Sequence, residues 1–249
     1  MVEILKYKKM SNGRYKVFLD NGNELLLYEE VILRYELLLN RNIDSDMFND
    51  IEKFNLECDV YYVALRTLKA RFKSVKELRD SLVQKEYPAD LIDKAISKLL
   101  KQGYLNDVNF CKSYINNQII TSSKGPKKIG RELSDKGIPR EIIDVEMSAF
   151  SDSLQLEKIR KIANRMFKSN KNRGGVVLKR KIINDLITLG YDISLINNIL
   201  DDFSFDNNNE IAKREYDKAY NKFSRKYSGK ELEYKIKERL YKQGLYYEE

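Results

Sequence analysis

The sequence predicts a mainly α-helical protein: an elongated, curved array of tandem three-helix repeats behind a small N-terminal segment of β-meander and helices. Three observations lead to this fold class. Two Asn-Gly turn signals interrupt the first 30 residues, helical hydrophobic spacing dominates the chain beyond residue 58, and similar blocks of sequence recur about every 50 residues. The chain is 42% hydrophobic, which is enough apolar material for a folded core.

The N-terminal segment, residues 1–57, has the pattern of a β-meander followed by helices. Asn12-Gly13 and Asn21-Gly22 are typical of two-residue hairpin turns. They separate three predicted strands: Glu3–Met10, Arg14–Asp20 and Glu24–Tyr28. From Val31 onward the apolar residues recur at helical spacing, and Asp44 or Ser45 is placed to cap a helix.

Four blocks of similar sequence define the helical repeats. Each block contains an anchor leucine, and the anchors lie 51, 53 and 54 residues apart: Leu82, Leu133, Leu186 and Leu240. Three blocks continue with a glycine that suits the left-handed end of a helix, and Glu86 takes that position in the first: Gly137, Gly190 and Gly244. The predicted boundaries are 58–105, 106–152 and 153–205 for three repeats and 206–249 for a partial fourth.

Three helix N-termini carry capping signals. Ser74 with Glu77, and Ser228 with Glu231, have the spacing of capping boxes at the start of equivalent helices. Asp107 is placed to cap the first helix of the second repeat. These signals agree with the boundaries that the repeat pattern predicts.

The residue types that are missing restrict the function. The chain contains no His, the commonest catalytic base, and its two cysteines, Cys58 and Cys111, make neither a disulfide framework nor a metal quartet. No glycine-rich phosphate loop is present. We therefore expect a protein that is not an enzyme and that uses no cofactor, metal or small-molecule substrate. No stretch resembles a membrane span or a signal peptide, so we expect a cytoplasmic protein without membrane contact.

The net charge of +8 is concentrated in one stretch of the chain. Residues 153–184 contain ten lysines and arginines but a single acidic residue, Glu157, whereas the rest of the chain is close to neutral. Such a stretch favours an anionic partner, either nucleic acid or an acidic protein surface, over a merely solvated helix face. The predicted contact residues in it are Lys158, Lys161, Arg165, Lys168, Lys171, Arg173, Lys179, Arg180 and Lys181.

The spacing of these bases shows where they can point. Bases at 158–168 alternate with an apolar helix face, so they can face outward while the helix stays docked. The following turn contains Gly174-Gly175, which could let the backbone approach a phosphate or could be a plain loop. The bases at 179–181 open the next helix, where they oppose the helix dipole, so local stability does not explain them. A smaller basic group precedes this stretch: Lys124, Lys127, Lys128 and Arg131.

Three segments of the chain are similar to one known family. Residues 124–138, with a Gly-Pro turn and Glu-Leu and Lys-Gly-Ile elements, resemble the signature of the RecX family of recombinase regulators. Residues 64–82 resemble the family's first block, and residues 99–115 resemble the run into its second block. The resemblance covers about residues 60–150 closely. Asn116 departs from it, because an Arg is frequent at this position in the family.

The resemblance implies a non-catalytic regulator of homologous recombination and DNA repair. Members of the family lie in the helical groove of the filament that the RecA recombinase forms on DNA, and they limit its growth and activity. Some members also bind DNA directly. From the resemblance we expect the RecA filament, and DNA, as partners.

The residues themselves leave alternatives open. A stand-alone DNA-binding protein would use its three-helix units as helix-turn-helix readers of duplex or single-stranded DNA. A metal nuclease would need clustered carboxylates, for which the candidate run from Asp201 to Asp206 has the composition of a linker. Tyr216, Tyr220 and Tyr227 could stack on bases, but their helical spacing favours a core position.

Overall fold

A computed structural model describes the chain over residues 1–10, 13–170, 172–205 and 209–247. Within these ranges the chain forms four strands and twelve helices, so the predicted mainly α-helical class with a small N-terminal sheet is confirmed. Asn12, the predicted contact residue Lys171 and Asp206 lie outside the described residues. The chain divides into two compact units, Met1–Phe110 and Cys111–Glu249.

The first unit begins with a small antiparallel sheet. Its strands are β1 (Val2–Lys9), β2 (Arg14–Leu19), β3 (Glu24–Tyr28) and β4 (Asn42–Ile43), and they lie in the order β3-β2-β1-β4. Gly13 and Gly22 adopt φ angles of 78° and 83°, in agreement with the predicted turns. The short β4 is an addition to the predicted meander, and it pairs with the start of β1 through Val2 and Ile43.

Four helices complete this unit: α1 (Glu29–Arg34), α2 (Ser45–Ala70), α3 (Val75–Val83) and α4 (Ala89–Lys101). Asp44 caps α2 by accepting a hydrogen bond from the backbone N–H of Met47 at 2.8 Å, as predicted. Helix α2 is continuous over 26 residues and passes through the boundary predicted between residues 57 and 58. The N-terminal segment and the first repeat therefore share one helix.

A partly buried carboxylate ties the sheet to the helices of the first unit. Asp59, on α2, accepts hydrogen bonds from the hydroxyls of Tyr28 at 2.7 Å and Tyr87 at 2.6 Å, and it also binds the guanidinium of Arg14. Burial alone would raise the pKa of the Asp59 carboxyl. The two tyrosine hydrogen bonds and the nearby arginine outweigh burial, so the pKa is lowered.

The predicted caps of the first repeat have two different outcomes. The capping box at Ser74 is formed. The prediction for Asp107 is wrong, because Asn106 instead accepts the hydrogen bond from the backbone N–H of Asn109 at the start of that helix. Asp107 accepts a hydrogen bond from the backbone N–H of Val75 at 2.9 Å, so it stabilises the N-terminus of α3. Burial raises the pKa of the Asp107 carboxyl despite this bond.

The remaining helices follow the predicted period: α5 (Asp107–Thr121), α6 (Pro126–Asp135), α7 (Arg140–Met147), α8 (Asp152–Ser169), α9 (Gly175–Leu189), α10 (Ile193–Leu200), α11 (Asn209–Phe223) and α12 (Gly229–Gln243). The anchor leucines are buried, and the three predicted glycines have φ angles of 80°, 95° and 70°, with Glu86 at 61°. The predicted helix ends are therefore confirmed. Ser228 forms no side-chain cap, contrary to prediction, because Gly229 begins α12 with a φ of 57°, off the helical path.

Successive repeats of the second unit are joined by backbone contacts that recur at matching positions. Gly125, before α6, donates its N–H to the carbonyl of Leu189 at 2.7 Å, and Gly174, before α9, donates to that of Gln243 at 2.8 Å. Each acceptor directly precedes the left-handed glycine that ends the second helix of the next repeat. We call each contact an inter-repeat joint. The two backbone segments approach so closely that a Cβ on Gly174 would lie 1.8 Å from the carbonyl oxygen of Gly244.

The joint also decides the role of the Gly174-Gly175 turn. Both glycines are buried, and a Cβ on Gly175 would lie 1.6 Å from the carbonyl oxygen of Phe205. The space that a phosphate would need beside this turn is occupied by the chain itself. Of the two alternatives for this pair, the close packing supports the plain loop and excludes the approach of a phosphate.

Candidate functional site

Half of the bases of the basic stretch lie on α8, whose two faces differ as the spacing predicts. Its apolar face is buried within the second unit: Ile159, Ile162 and Ala163. Lys161, Arg165 and Lys168 are exposed, and their spacing of four and three residues places them on one face. None of the three has an ion-pair partner within the part of the chain that the structure describes. We call these three side chains the α8 basic face.

Lys158 lies on the same helix but makes different contacts. Its ammonium donates hydrogen bonds to the carbonyl oxygens of Ile119 and Ser122, at the C-terminal end of α5, the second at 2.9 Å. A cation at this end of a helix complements the helix dipole. Burial and the neighbouring Lys161 lower the pKa of the Lys158 ammonium. Lys158 thus holds α8 against α5, and its contact with a partner remains a prediction.

The three bases that open α9 also differ from one another. Lys179 Nζ lies 3.9 Å from Asp201 Oδ1, and Lys181 Nζ lies 2.8 Å from Asp185 Oδ2. Arg180, between them, is exposed and has no ion-pair partner among the described residues. One base of this group therefore keeps its full charge available to a partner.

The acids that offset the basic stretch follow it directly in the sequence. The hairpin of α9 and α10 brings four aspartates back to it and to α6: Asp185, Asp192, Asp201 and Asp202. Arg160 belongs to the stretch and lies 2.5 Å from one of these carboxylates. Arg173, in the turn before α9, is half-buried and lacks an ion-pair partner in the described ranges. The local charge is therefore smaller than a count along the sequence indicates.

In the smaller basic group on α6, two lysines are bound within the second unit. Lys124 Nζ lies 2.7 Å from Glu132 Oε2, which also accepts a hydrogen bond from the hydroxyl of Tyr114 at 2.8 Å. Burial alone would raise the pKa of Glu132, but these two bonds outweigh it and lower the pKa. Lys127 donates to Asp192 at 2.6 Å, and this bond, with those at the start of α10, holds the pKa of Asp192 well below its usual range.

Lys128 and Arg131 are the bases of this group that have no ion-pair partner among the described residues. Lys128 is half-buried and Arg131 is exposed. Arg131 lines a groove of about 550 Å³ between α6 and α7, where Asp135 and Asp144 also lie. Arg140 and Lys127 also line this groove, but Arg140 Nε lies 3.6 Å from Asp144 Oδ2 and Lys127 is bound to Asp192. Most of its bases are thus offset within the chain, so it is less favourable for an anion than the α8 basic face.

A second groove, also of about 550 Å³, runs beside the α8 basic face. Lys161 and Arg165 line one side with Glu157, and the C-terminal end of α5 lines the other. Ile120, on that end of α5, is 82% exposed, and hydroxyl-bearing residues 121–123 follow it. The groove therefore offers cations, hydroxyl groups and apolar surface together.

The described residues form neither a metal site nor a membrane-spanning helix. Over the described ranges, no group of three or more Cys, Asp or Glu side chains is arranged to hold a metal ion. In that same part of the chain, no helix combines the length and the apolar character that crossing a bilayer requires. Both cysteines are buried, and burial raises the pKa of the Cys58 thiol to about 12.

The tyrosines of the partial fourth repeat fall into two groups. Tyr216 packs against the core between α11 and α12, 5.0 Å from Tyr247 between ring centroids, which agrees with the core interpretation. Tyr220 is exposed, so the core interpretation is wrong for that residue. The sequence pattern does not predict the second group, Tyr234, Tyr241 and Tyr246, which are 65%, 69% and 65% exposed. The sequence contains one signal for Tyr241, which directly follows the buried anchor leucine of the fourth block. Successive side chains on a helix are rotated by about 100°, so the residue after a buried one points away from the buried direction.

Two stretches of the chain match domains of one known family. Residues 61–99 match the first three-helix domain of RecX, and residues 106–145 match the second. The chain is 35% identical over 191 residues to the regulatory protein RecX of Listeria monocytogenes serotype 4a (strain HCC23), which covers 77% of this chain and 71% of that protein. It is 27% identical over 245 residues to the regulatory protein RecX of Streptococcus agalactiae serotype Ia, covering 94% of this chain and 92% of that protein.

The fold is similar to a solved one as well. A crystal structure titled as regulatory protein RecX matches with a TM-score of 0.70 and 24% sequence identity, over 81% of this chain and 100% of that chain. At this identity the match supports the fold. The similarity extends well beyond the segments in which the sequence alone resembles the family, and the resemblance is confirmed.

Proposed function

Because the chain belongs to the RecX family of regulatory proteins, we propose that it is a non-catalytic regulator of homologous recombination and DNA repair. It binds the filament that the RecA recombinase forms on DNA, and it limits the growth and the activity of that filament. The recombinase and the DNA inside the filament are both its ligands.

The observation that carries this proposal is the α8 basic face. Three exposed cations without ion-pair partners among the described residues stand on a helix whose opposite side is buried. Three other bases of the stretch, Arg160, Lys179 and Lys181, lie close to carboxylates of the chain. Cations that are not neutralised locally attract an anionic partner and displace its counterions, which favours binding to phosphates.

The groove beside this face favours a protein–DNA filament over DNA alone. The exposed Ile120 gains nothing from a bare phosphate backbone, whereas an apolar protein surface would bury it. Lys161 and Arg165 line the same groove and can reach phosphates or acidic side chains of the partner. A filament presents both kinds of surface side by side.

The test is the ATPase rate of RecA on single-stranded DNA at increasing ratios of this protein. We expect inhibition well below one regulator per recombinase, because a filament stopped at a few points loses many subunits. Lys161→Glu, Arg165→Glu and Lys168→Glu together reverse the charge of the α8 basic face. The concentration of this protein that gives half-inhibition should then rise by at least about tenfold, if each contact contributes about 0.5–1 kcal/mol.

A matched control reverses the same number of charges in the first unit. Lys69, Lys85 and Lys101 are exposed lysines on or beside α2, α3 and α4, so their change to Glu alters the net charge equally. The control variant should inhibit like the unchanged protein. Loss of inhibition in both variants would assign the effect to net charge. Retained DNA affinity with no effect on the ATPase rate would contradict the proposal and favour an independent DNA-binding protein.

A further inference from the structure

The partial fourth repeat exposes aromatic side chains around one groove. The groove, of about 550 Å³, lies along α12 and the residues after it, and Tyr234, Tyr241 and Tyr246 line it. All three rings are at least 65% exposed. Exposed aromatic rings that share one groove are unusual on a surface that serves only solubility, and they indicate a binding surface.

The rings are held on a rigid support. Leu240 and Leu245 are buried where they line the groove, and Tyr247, which also lines it, packs against the core of α11 and α12. The left-handed Gly244 ends α12 and turns the chain back, so that the ring of Tyr246 lies 6.3 Å from that of Tyr241 between centroids. The aromatic surface is therefore formed before any ligand arrives.

The charge around the groove is suited to an anion. Residues 209–249 contain eleven lysines and arginines against eight aspartates and glutamates. Lys237 lines the groove, is exposed, and has no ion-pair partner in the ranges that the structure describes. The acid of the groove, Glu238, is offset by Lys235 at 3.3 Å and Lys242 at 2.7 Å.

We propose that this groove binds single-stranded nucleic acid, with unpaired bases stacked on Tyr234, Tyr241 and Tyr246 and a backbone phosphate on Lys237. Aromatic rings beside cations are the elements of sequence-tolerant single-strand binding, and paired bases in a duplex cannot offer their faces to the rings. Protein interfaces are rich in tyrosine but depleted in lysine, so it is the exposed Lys237 beside the rings that favours nucleic acid over a protein partner. The site uses no residue of the α8 basic face and does not rest on the proposed function.

The experiment compares two fluorescein-labelled ligands by anisotropy: an oligothymidylate of about ten nucleotides and an abasic oligomer of equal length. The two carry the same phosphates and differ in their bases. The full chain should bind the oligothymidylate at least about tenfold more tightly. Tyr234→Leu and Tyr241→Leu, alone and together, should each lower this preference by about fivefold or more, since one stacked base contributes on that scale.

Conservative and matched variants separate stacking from other causes. Tyr241→Phe keeps the ring and should keep the preference for bases. Tyr104→Leu removes an exposed tyrosine of the first unit, 56% exposed, and should change nothing. Lys237→Gln should weaken both ligands equally, because it removes a phosphate contact.

The outcome that overturns the proposal is equal affinity for the two ligands, or an unchanged preference in the double leucine variant with its helical circular dichroism intact. Occupation of the groove by a protein would give that second result. The RecA ATPase assay is read separately on the same variants. Failure of the filament proposal would leave the base preference untouched, so the two failures are distinguishable.

Discussion

The inter-repeat joint at Gly174 gives a stability prediction whose sign follows from the structure. The backbone there has φ −62° and ψ 147°, a conformation that alanine adopts without strain. If conformation alone mattered, Gly174→Ala would stabilise the protein by about 0.4–1 kcal/mol through a less flexible unfolded chain. The added Cβ, however, would lie 1.8 Å from the carbonyl oxygen of Gly244, which is backbone and has no rotamer to change.

The size of the effect follows from the movement that the clash requires. To restore a separation of 3.0 Å, the backbone segments around Gly174 and Gly244 must move apart by about 1.2 Å. The 2.8 Å hydrogen bond from the N–H of Gly174 to the carbonyl of Gln243 cannot survive that shift. Overpacking costs about 1–3 kcal/mol and the lost hydrogen bond about 1 kcal/mol. We therefore expect Gly174→Ala to lower the free energy of unfolding by about 2–4 kcal/mol.

Urea denaturation followed by circular dichroism measures this change, with Gly130→Ala as the matched control. Gly130 lies inside α6, and a Cβ there would meet Ile143 at 3.7 Å and Met147 at 3.9 Å, which are ordinary contacts. Alanine should therefore raise stability at this site by about 0.5–1 kcal/mol. A midpoint for Gly174→Ala at or above that of the unchanged protein would refute the steric reasoning.

Three further predictions concern single side chains. Asp59→Asn should lower stability by about 2 kcal/mol at neutral pH, because it removes a charge-assisted network that includes Arg14. The folded-state pKa of Asp59 is lowered, so the stability difference between the two proteins should be full above the unfolded-state pKa of about 3.9. It should vanish as the pH falls through the folded-state pKa. Unfolding measured at several pH values checks this, and a stability difference that does not change with pH would contradict it. Asp107→Ala should cost about 1 kcal/mol by leaving the backbone N–H of Val75 without its cap, and an unchanged urea midpoint would count against this. Arg180→Met should reduce the slope of log affinity against log salt on duplex DNA by about 0.9, and an identical slope would mean that no phosphate lies there.

The helical repeats could be predicted because their signals are local. Anchor leucines and left-handed glycines report on a helix and its end within a few residues, and Leu186 and Gly190 occupy the predicted places. Strand β4 has two residues and is stabilised only by pairing with β1, so no local pattern marks it. The predicted boundary at residues 57–58 marks the start of the repeating helical pattern, and the sequence there contains no Gly or Pro that would end α2.

The candidate site could be predicted only in part, because ion pairs depend on the tertiary fold. The bases of α8 are where the periodicity places them, but the partners of Lys127 and Lys179 come from 65 and 22 positions further along the chain. A count over a sequence window cannot include such acids. The exposed tyrosines of α12 could not be predicted for a related reason: helical spacing alone does not show which face of a helix its neighbours leave uncovered.

The inter-repeat joint also affects how the protein is made. The N–H of each donor glycine forms its hydrogen bond with a carbonyl of the next repeat, which is synthesised later. At about 5–20 residues per second, an acceptor roughly 65 residues further along is synthesised about 3–13 s after its donor. During translation the donor glycine before the second helix of a repeat therefore leaves the ribosome without its hydrogen-bond acceptor. The inter-repeat joint can form only after the first two helices of the following repeat have been synthesised.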